Sequence, residues 1–296
     1  MTSCMDIRTK IDDVALIFEG GGMRASYTAG FVAMLLEQRV DFMYVAGISA
    51  GSSHAVNYLS RDLPRSRQSY TDLPANPAFG DLGTWIRGEG FFNSDFIYDE
   101  SSQADGQLPF DYRAFVNNEA DCVIAAFKES DGSLIHWHKK DYKVPQDLIL
   151  SVRASSSVPF MMPETVIDGE VYWDGGLGTP MPLDEAKRDG YEKFVFVLTR
   201  ERGYRMPEPS PLWITHRILD RHPIIKDALL TRHLRYNAQR DEIERLEASG
   251  HAYVFYPDRL DLTMVDRNPD KLLRQFALGH EQSYRELPQL AAFLGI

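Results

Sequence analysis

Two short apolar runs constrain this chain more than any other feature. Val14–Phe18 ends in Glu19 and three glycines, and residues 44–48 end in Ser49-Ala50-Gly51. Each run has the length of a buried strand, and each is followed by apolar residues at helical spacing. Ala29, Val32, Ala33, Leu35 and Leu36 mark a helix within residues 26–39; Ala55, Val56 and Leu59 mark one within residues 50–60. Strand, tight loop, helix, strand, turn, helix predicts an α/β fold with a mostly parallel central sheet flanked by helices. In such a sheet the loops leaving neighbouring strands lie along one carboxyl edge, where ligands bind.

Further along, two hairpins are predicted. Ser130-Asp131-Gly132-Ser133 joins strands over residues 122–127 and 134–137, and Asp168-Gly169-Glu170 joins strands over 165–167 and 171–173. The second hairpin runs straight into Asp174-Gly175-Gly176. Helices are expected over 145–154 and 182–189, a strand over 194–199, helices over 212–248 broken near Pro223, a strand over 252–256, and helices within 269–294. Pro64, Pro74, Pro77, Gly80, Gly83, Gly88 and Gly90 punctuate residues 64–90, which reads as a long loop, either a surface excursion or a lid. The composition turns helical and basic after residue 199. The expected division is a domain at 1–199 bearing the motifs, and a mainly helical extension at 200–296 packed on it.

The 296 residues include 43 acidic and 32 basic side chains, a net charge of −11, with 44% hydrophobic residues. That apolar content suits a folded chain rather than a disordered one. The acidity argues against a general nucleic-acid binder, which needs a basic face. Cys4 and Cys122 cannot build a disulfide framework, in keeping with a reducing compartment. No apolar run reaches the roughly 18 residues of a membrane span. Asp6, Arg8, Lys10, Asp12 and Asp13 stand where a signal peptide would be apolar. The expected location is therefore cytoplasmic, with room for peripheral membrane contact. Residues 200–245 carry 10 basic and 7 acidic side chains, among them Arg217, Arg221, Lys226, Arg232 and Arg235 together with three histidines. Such a run is either a solvated face or a surface that rests on anionic lipid.

Gly47-Ile48-Ser49-Ala50-Gly51 matches G-x-S-x-G at a strand-to-helix junction. Small residues must flank a serine on so sharp a turn, and its hydroxyl then projects from the sheet edge beside a helix N-terminus. The alternative is a serine that merely caps the helix. Glu19-Gly20-Gly21-Gly22-Met23-Arg24-Ala25 formally fits the dinucleotide pattern G-x-G-x-x-G/A, and it also fits a loop of backbone donors for an oxyanion. The dinucleotide reading needs an acidic residue at the end of the second strand. Asp41 lies before that strand, and Arg24 puts a cation in the loop, so the nicotinamide or flavin reading is demoted. Asp174, ending a strand before two glycines, is the candidate base for Ser49; by itself it is also a common Asp-Gly turn.

These three motifs, in this order, resemble the patatin-like phospholipases, whose pattern is G-G-G-x-R/K-G, G-x-S-x-G and D-G-G/A. Ala154-Ser155-Ser156-Ser157-Val158-Pro159 is similar to a further Ala-Ser segment of that family. The likeness covers residues 14–199. It implies a lipid acyl hydrolase with a Ser49–Asp174 dyad, acting through an acyl-enzyme on phospholipid or other lipid esters. It further implies an oxyanion hole from Gly20, Gly21, Gly22, Met23 and Arg24, a nucleophile elbow at Gly47 and Gly51, and no metal or organic cofactor. Ala25 departs from the family's usual glycine, harmlessly if it is already helical. Two readings compete. A Ser-His-Asp α/β-hydrolase would use His251 or His280, but several strands precede the nucleophile in that fold and only one does here. A non-catalytic lipid-binding protein on the same fold would have no use for both Ser49 and Asp174. His54 lies more than a turn beyond Ser49 and reads as packed or surface. His136 and His138 lack an apparent third metal ligand, and Phe91, Phe92, Phe160, Met161 and Met162 read as core or acyl-pocket lining. Head group, chain length and oligomeric state are not constrained.

Overall fold

The computed structural model describes residues 8–86, 90–209 and 219–296. The chain opens with β1 (Thr9–Ile11) and β2 (Val14–Phe18), then turns through the glycine loop into α1 (Ala25–Glu37). β3 (Val40–Phe42) pairs with β1, and β4 (Tyr44–Gly47) passes through Ser49 into α2 (Ala50–Leu59). Three short helices follow: α3 (Leu63–Thr71), α4 (Leu82–Ile86) and α5 (Tyr112–Asn117), with a π-helical turn at Asp95–Glu100. Next come β5 (Asp121–Lys128), β6 (Leu134–His138), α6 (Pro145–Ser156), β7 (Thr165–Ile167), β8 (Glu170–Asp174), α7 (Leu183–Arg188) and β9 (Lys193–Val197). The chain finishes with α8 (Pro223–Ala248), β10 (Ala252–Phe255) and α9 (Pro269–Leu294).

The main sheet has the order β10-β9-β2-β4-β5-β8-β7, with β6 also paired to β5. From β10 to β5 all neighbours are parallel; β5–β6, β5–β8 and β7–β8 are antiparallel. β2 and β4 lie in the middle, and every residue in them is buried. Burial on both faces is why their sequences are continuous apolar runs rather than alternating ones. Leu16 and Phe18 face one core, shared with Phe31 and Leu35 of α1 and Leu290 of α9. Ala15 and Ile17 face the other, shared with Leu183 of α7 and Ile243 of α8. α1 and α9 meet backbone to backbone: a Cβ on Gly279 would lie 1.9 Å from the Tyr27 carbonyl oxygen, and one on Gly30 2.2 Å from the His280 nitrogen.

Two expectations need correction. Residues 64–90 are not simply a loop; they carry most of α3, two 3-10 turns and α4. The Asp62 carboxylate accepts the Arg65 N–H and Pro64 occupies the first turn, a capped start. The buried side of α3 is Ser66, Tyr70 and Thr71, so no hydrophobic stripe announces the helix. The break expected near Pro223 is present: Leu219 is helical, residues 220–222 are not, and Pro223 opens α8 at a position where its missing N–H costs nothing. The strand expected at 252–256 is β10, and it forms an edge strand of the main sheet beside β9.

The basic stretch is not a free cationic face either. Arg232 Nε donates to the Gly176 carbonyl at 2.7 Å, and Arg235 donates to the carbonyls of Leu177 and Ala228. Lys226 pairs with Asp220 at 2.7 Å and His222 with Glu129 at 2.6 Å. Arg217, Cys4, Asp6, Gly88 and the expected helix start at 212 lie outside the described residues. Among the described residues no helix is long and apolar enough to cross a membrane.

Candidate active site

Ser49 sits between β4 and α2 with φ 56° and ψ −130°. A non-glycine residue in such a conformation stores strain of roughly 1–3 kcal/mol, which the surroundings must impose. They do so by close approach. A Cβ on Gly47 would lie 2.2 Å from the Gly51 carbonyl oxygen, and one on Gly51 would lie 2.4 Å from that of Phe18. The turn closes only because both positions lack a side chain. The Ser49 N–H donates to Ser155 Oγ at 2.9 Å, and Ser155 Oγ donates to the Ala125 carbonyl at 2.7 Å. Ser52 Oγ holds the Ser49 carbonyl at 2.6 Å. The Ser49 hydroxyl makes no capping hydrogen bond to α2, so the helix-cap reading fails.

Asp174 arrives from the opposite direction, at the end of β8 running antiparallel to β5, in register with Ala126. Gly175 packs where a Cβ would meet the Ala125 carbonyl oxygen at 2.5 Å and Ile48 Cγ2 at 3.0 Å, which brings the turn against the base of the Ser49 elbow. Asp174 Oδ1 accepts the Gly176 N–H at 2.7 Å, while the buried Oδ2 has no formed hydrogen bond. Burial raises the Asp174 carboxyl above the ordinary carboxylate range, against the Ser49 hydroxyl, the Arg232 guanidinium and the Gly176 N–H, which all favour its charged form. The Ser49 hydroxyl therefore lies within reach of Asp174 without the alignment of a completed hydrogen bond. Such contacts commonly tighten only when substrate binds.

The glycine loop lies against the same serine. A Cβ on Gly20 would stand 2.9 Å from Ser49 Cβ, and one on Gly21 2.6 Å from Thr199 Oγ1. Gly22 has φ 55°, with the Met264 carbonyl oxygen 2.6 Å from where its Cβ would be. The amides of Gly21 and Gly22 meet no acceptor among the described residues. That of Met23 differs from the expectation: it donates to the Met264 carbonyl at 3.1 Å and so is committed to the fold. The Arg24 amide likewise donates to the Gly21 carbonyl at 3.3 Å. Ala25 has φ −62° and ψ −12°, ordinary helical backbone, so alanine is unstrained there.

Ser49 belongs to the walls of two chambers. One is apolar, encloses about 990 Å³ with its mouth included, and is lined by Val56, Tyr70, Leu73, Phe79, Phe92 and Met162 among others. That size is in the range of small-molecule sites. Much of its wall comes from α2, α3 and the 3-10 turns after it, the segment that shows no periodicity. The other chamber is the more polar of the two and brings Asp174 and Gly20–Gly22 together with Arg24, Arg200 and Arg232. Burial, and then the neighbouring Arg200, lower the Arg24 pKa to about 10, so it remains a cation at neutral pH.

No described histidine lines either chamber. His54 is fully buried between Phe18 and Tyr70, with Nε2 2.9 Å from Thr28 Oγ1, and burial lowers its pKa to about 3. His251 pairs with Ser249 and His280 with Glu37, each 2.8–2.9 Å away. His136 and His138 face Glu185 at the opposite edge of the sheet, beside the start of β4. There His138, Glu185 and Asp189 offer ligand atoms within 4.8 Å of one another, ligands the sequence did not reveal, but Arg188 already pairs with Glu185 at 2.6 Å. Sequence reasoning also missed Arg200, Arg232, Met264 and the role of Ser155. Only Ser155 had a signal, its place in the Ala-Ser segment.

Comparisons with known proteins bear on this geometry. A curated relative is the uncharacterized protein YjjU of Escherichia coli K12, 26% identical over 191 residues, 63% of this chain and 52% of that protein. The chain thus spans about half the length of the curated relative it matches. Two solved structures share the fold at low identity. VipD from Legionella pneumophila gives a TM-score of 0.52 at 10% identity, covering 98% of this chain and 72% of that one. Human GIVD cytosolic phospholipase A2, in complex with a methyl gamma-linolenyl fluorophosphonate inhibitor, gives 0.51 at 11% identity, covering 96% of this chain and 59% of that one. Residues 222–295 match a domain of unknown function, DUF6363. The model of patatin-like phospholipases matches residues 16–187, more than half of the chain and all three motif turns, and the chain therefore belongs to the patatin-like phospholipase family.

Proposed function

We propose that the protein is a serine acyl hydrolase that cleaves lipid acyl esters through Ser49 and Asp174. The observation that carries this reading is the position of Ser49: a strained elbow, facing a buried carboxylate, at the junction of an apolar and a polar chamber. The acyl chain lies in the apolar chamber. Ser49 Oγ attacks the ester carbonyl carbon and passes its proton to Asp174 Oδ2. The amides of Gly21 and Gly22 and the N-terminus of α2 stabilise the oxyanion. As the bond to the leaving alcohol breaks, Asp174 returns the proton to that oxygen. Water then attacks the acyl-enzyme, giving its proton to Asp174, and the free acid leaves as Ser49 is reprotonated. The family and its phospholipase neighbour support a lipid substrate; the human phospholipase A2 was itself solved with a fluorophosphonate inhibitor.

The test is a fluorophosphonate probe combined with an ester panel of increasing chain length plus phospholipids. Labelling at Ser49 and hydrolysis that rises with chain length, both lost in Ser49→Ala, are expected. No labelling of the folded protein would favour a non-catalytic lipid binder. Hydrolysis confined to short water-soluble esters would remove the lipid assignment.

A further inference from the structure

We infer that the polar chamber beside Ser49 is a head-group site for a lipid whose phosphate bears no compensating cation, built by Arg24 together with Arg200 and Arg232. Arg200 and Arg232 lie outside the residues that match the family model, and Arg232 lies in the segment matching the domain of unknown function. Much of the cationic side of the chamber therefore comes from the part of this chain beyond the motifs. The inference rests on the acyl hydrolase reading and adds to it the class of lipid.

The chamber is short of negative charge. Its described lining holds three guanidiniums and two carboxylates, Glu19 and Asp174. Glu19 is fully hydrogen-bonded, and Asp174 is the base of the proposed dyad. Glu19 Oε2 accepts the Thr199 N–H at 2.5 Å and its hydroxyl at 3.1 Å, and Glu19 Oε1 accepts the Tyr236 hydroxyl at 2.7 Å. Asp174 faces Ser49 and Gly176. The guanidiniums are largely uncommitted. Among the described residues neither Arg24 nor Arg200 donates a side-chain hydrogen bond, and the Arg24 Nε is buried without a partner. Arg200 only stacks on Tyr204, its guanidinium carbon 4.4 Å from the ring centroid. Arg232 spends Nε on the Gly176 carbonyl, which fixes its Nη atoms beside the turn that carries Asp174.

Planar guanidiniums with free donors suit a phosphate. The Glu19 charge offsets part of Arg24, yet Arg24 and Arg200 still repel each other across the chamber. An anion between them relieves that repulsion. A choline or ethanolamine ammonium would instead meet three cations, with Glu19 fully hydrogen-bonded and Asp174 turned toward Ser49 as the proposed base. The two chambers meet at Ser49, so an ester carbonyl held there has its acyl chain on the apolar side and its leaving alcohol, with the phosphate, on the cationic side.

The experiment compares three lipids of identical acyl chains in neutral-detergent micelles: phosphatidylglycerol, phosphatidylcholine and diacylglycerol. The expected result is kcat/KM on phosphatidylglycerol about tenfold or more above the other two, the scale of hydrogen bonds to a charged group. Arg200→Gln, which breaks no side-chain hydrogen bond among the described residues, should cut that preference by a similar factor, and Arg232→Gln is the second variant, each checked for folding by circular dichroism. Equal rates on the three lipids, or a preference that neither variant alters, would overturn the proposal while leaving the hydrolase reading intact. Inorganic phosphate competing as tightly as the lipid would assign the chamber to free phosphate and overturn the head-group assignment. If the wild type hydrolyses none of the esters, the hydrolase reading fails, and the head-group claim is read on binding of ether analogues instead. Hexadecyl glycerol phosphate held more tightly than hexadecyl phosphocholine, and loosened by Arg200→Gln, supports it; equal binding overturns it.

Discussion

The backbone N–H of Ser49 donates to the hydroxyl of Ser155 at 2.9 Å, and that hydroxyl donates onward to the Ala125 carbonyl at 2.7 Å. One fully buried side chain of α6 thus ties the strained elbow to β5. It also consumes the amide of Ser49, which is therefore not a donor to an oxyanion. Ser155→Ala leaves a buried N–H and a buried carbonyl unpaired, at a cost of about 1–3 kcal/mol. The elbow then loses its fixed position, and misplacement of about 1 Å is worth about 10²-fold in rate. Denaturant unfolding and ester turnover together read both effects. Full activity in this variant would show that the glycine contacts alone hold the turn.

As the base of the proposed dyad, Asp174 makes opposite demands on folding and on chemistry. Burial holds its pKa above the ordinary carboxylate range in the folded protein. For a carboxyl raised on folding, the charged form costs stability at neutral pH, and the cost disappears below its unfolded pKa of about 3.9. Asp174→Asn should therefore be at least as stable as the wild type at pH 7, with the advantage shrinking as the pH falls toward 4. Its hydrolysis should fall by about 10²–10⁴, the range of a lost general base. In the wild type, kcat/KM should decline on the acid side at a pH above the ordinary carboxylate range. An acid limb at or below pH 4 would mean that a different group titrates.

The motif turns were legible because close backbone approach leaves a compositional mark. Gly47 and Gly51 must be glycine where another carbonyl stands within 2.2–2.4 Å of their absent Cβ, and any reader of the sequence sees the glycines. β2 and β4 were legible because burial on both faces makes a strand continuously apolar. α3 was not, because its buried side is polar: Ser66 bonds back to the Asp62 carbonyl within the helix start, and the Tyr70 hydroxyl donates across to the Ala50 carbonyl of α2 at 2.6 Å. Arg232 and Arg200 were hidden for a related reason. An arginine on a helix face and one after a strand end look like solvated charge until the fold turns them toward Asp174 and Arg24. The Met23 amide shows the reverse error: it sits in the right loop, but Met264, far along the chain, had already claimed it.

In the proposed mechanism the Gly21 and Gly22 amides are the loop's oxyanion donors, and Gly22 is the sharper test. Alanine there is strained at φ 55° and places a Cβ 2.6 Å from the Met264 carbonyl oxygen. The loop must shift, and the donor geometry shifts with it. Gly22→Ala should lower kcat by about 10²–10³, the usual loss for one oxyanion donor. KM should change less than kcat, since most of the apolar chamber's wall, Val56, Tyr70, Phe79 and Phe92 among it, lies outside the loop. Steady-state kinetics on a long-chain ester checks the split. A rise in KM with kcat preserved would assign the loop to ground-state binding.

The histidines provide a separate check on the dyad. His251 and His280 sit at the surface, hydrogen-bonded to Ser249 and Glu37 rather than to Asp174. His251→Ala and His280→Ala should each keep turnover and fluorophosphonate labelling of Ser49 within about twofold, the size of ordinary surface effects of ±0.5 kcal/mol. A folded histidine variant without activity would replace the dyad by a triad.

The strain at Ser49 separates function from folding. With φ 56° and ψ −130°, the side chain is carried in a conformation that glycine adopts at less cost. Ser49→Ala removes the hydroxyl but keeps the Cβ, and so keeps the strain. Ser49→Gly removes both. Both variants should lose hydrolysis completely, yet the glycine variant should be the more stable of the two by about 1 kcal/mol, the middle of what remains of a stored strain of roughly 1–3 kcal/mol once glycine's entropy is counted. Glycine's larger entropy loss on folding is the opposing effect, about 0.5–1 kcal/mol, so the difference appears only if the stored strain exceeds it. Unfolding of the two variants in urea, at one pH and with equal slopes, reads the sign. Ser49→Gly less stable than Ser49→Ala would mean that the elbow is held at little cost, and that the glycines at 47 and 51 serve clearance rather than the enforcement of strain.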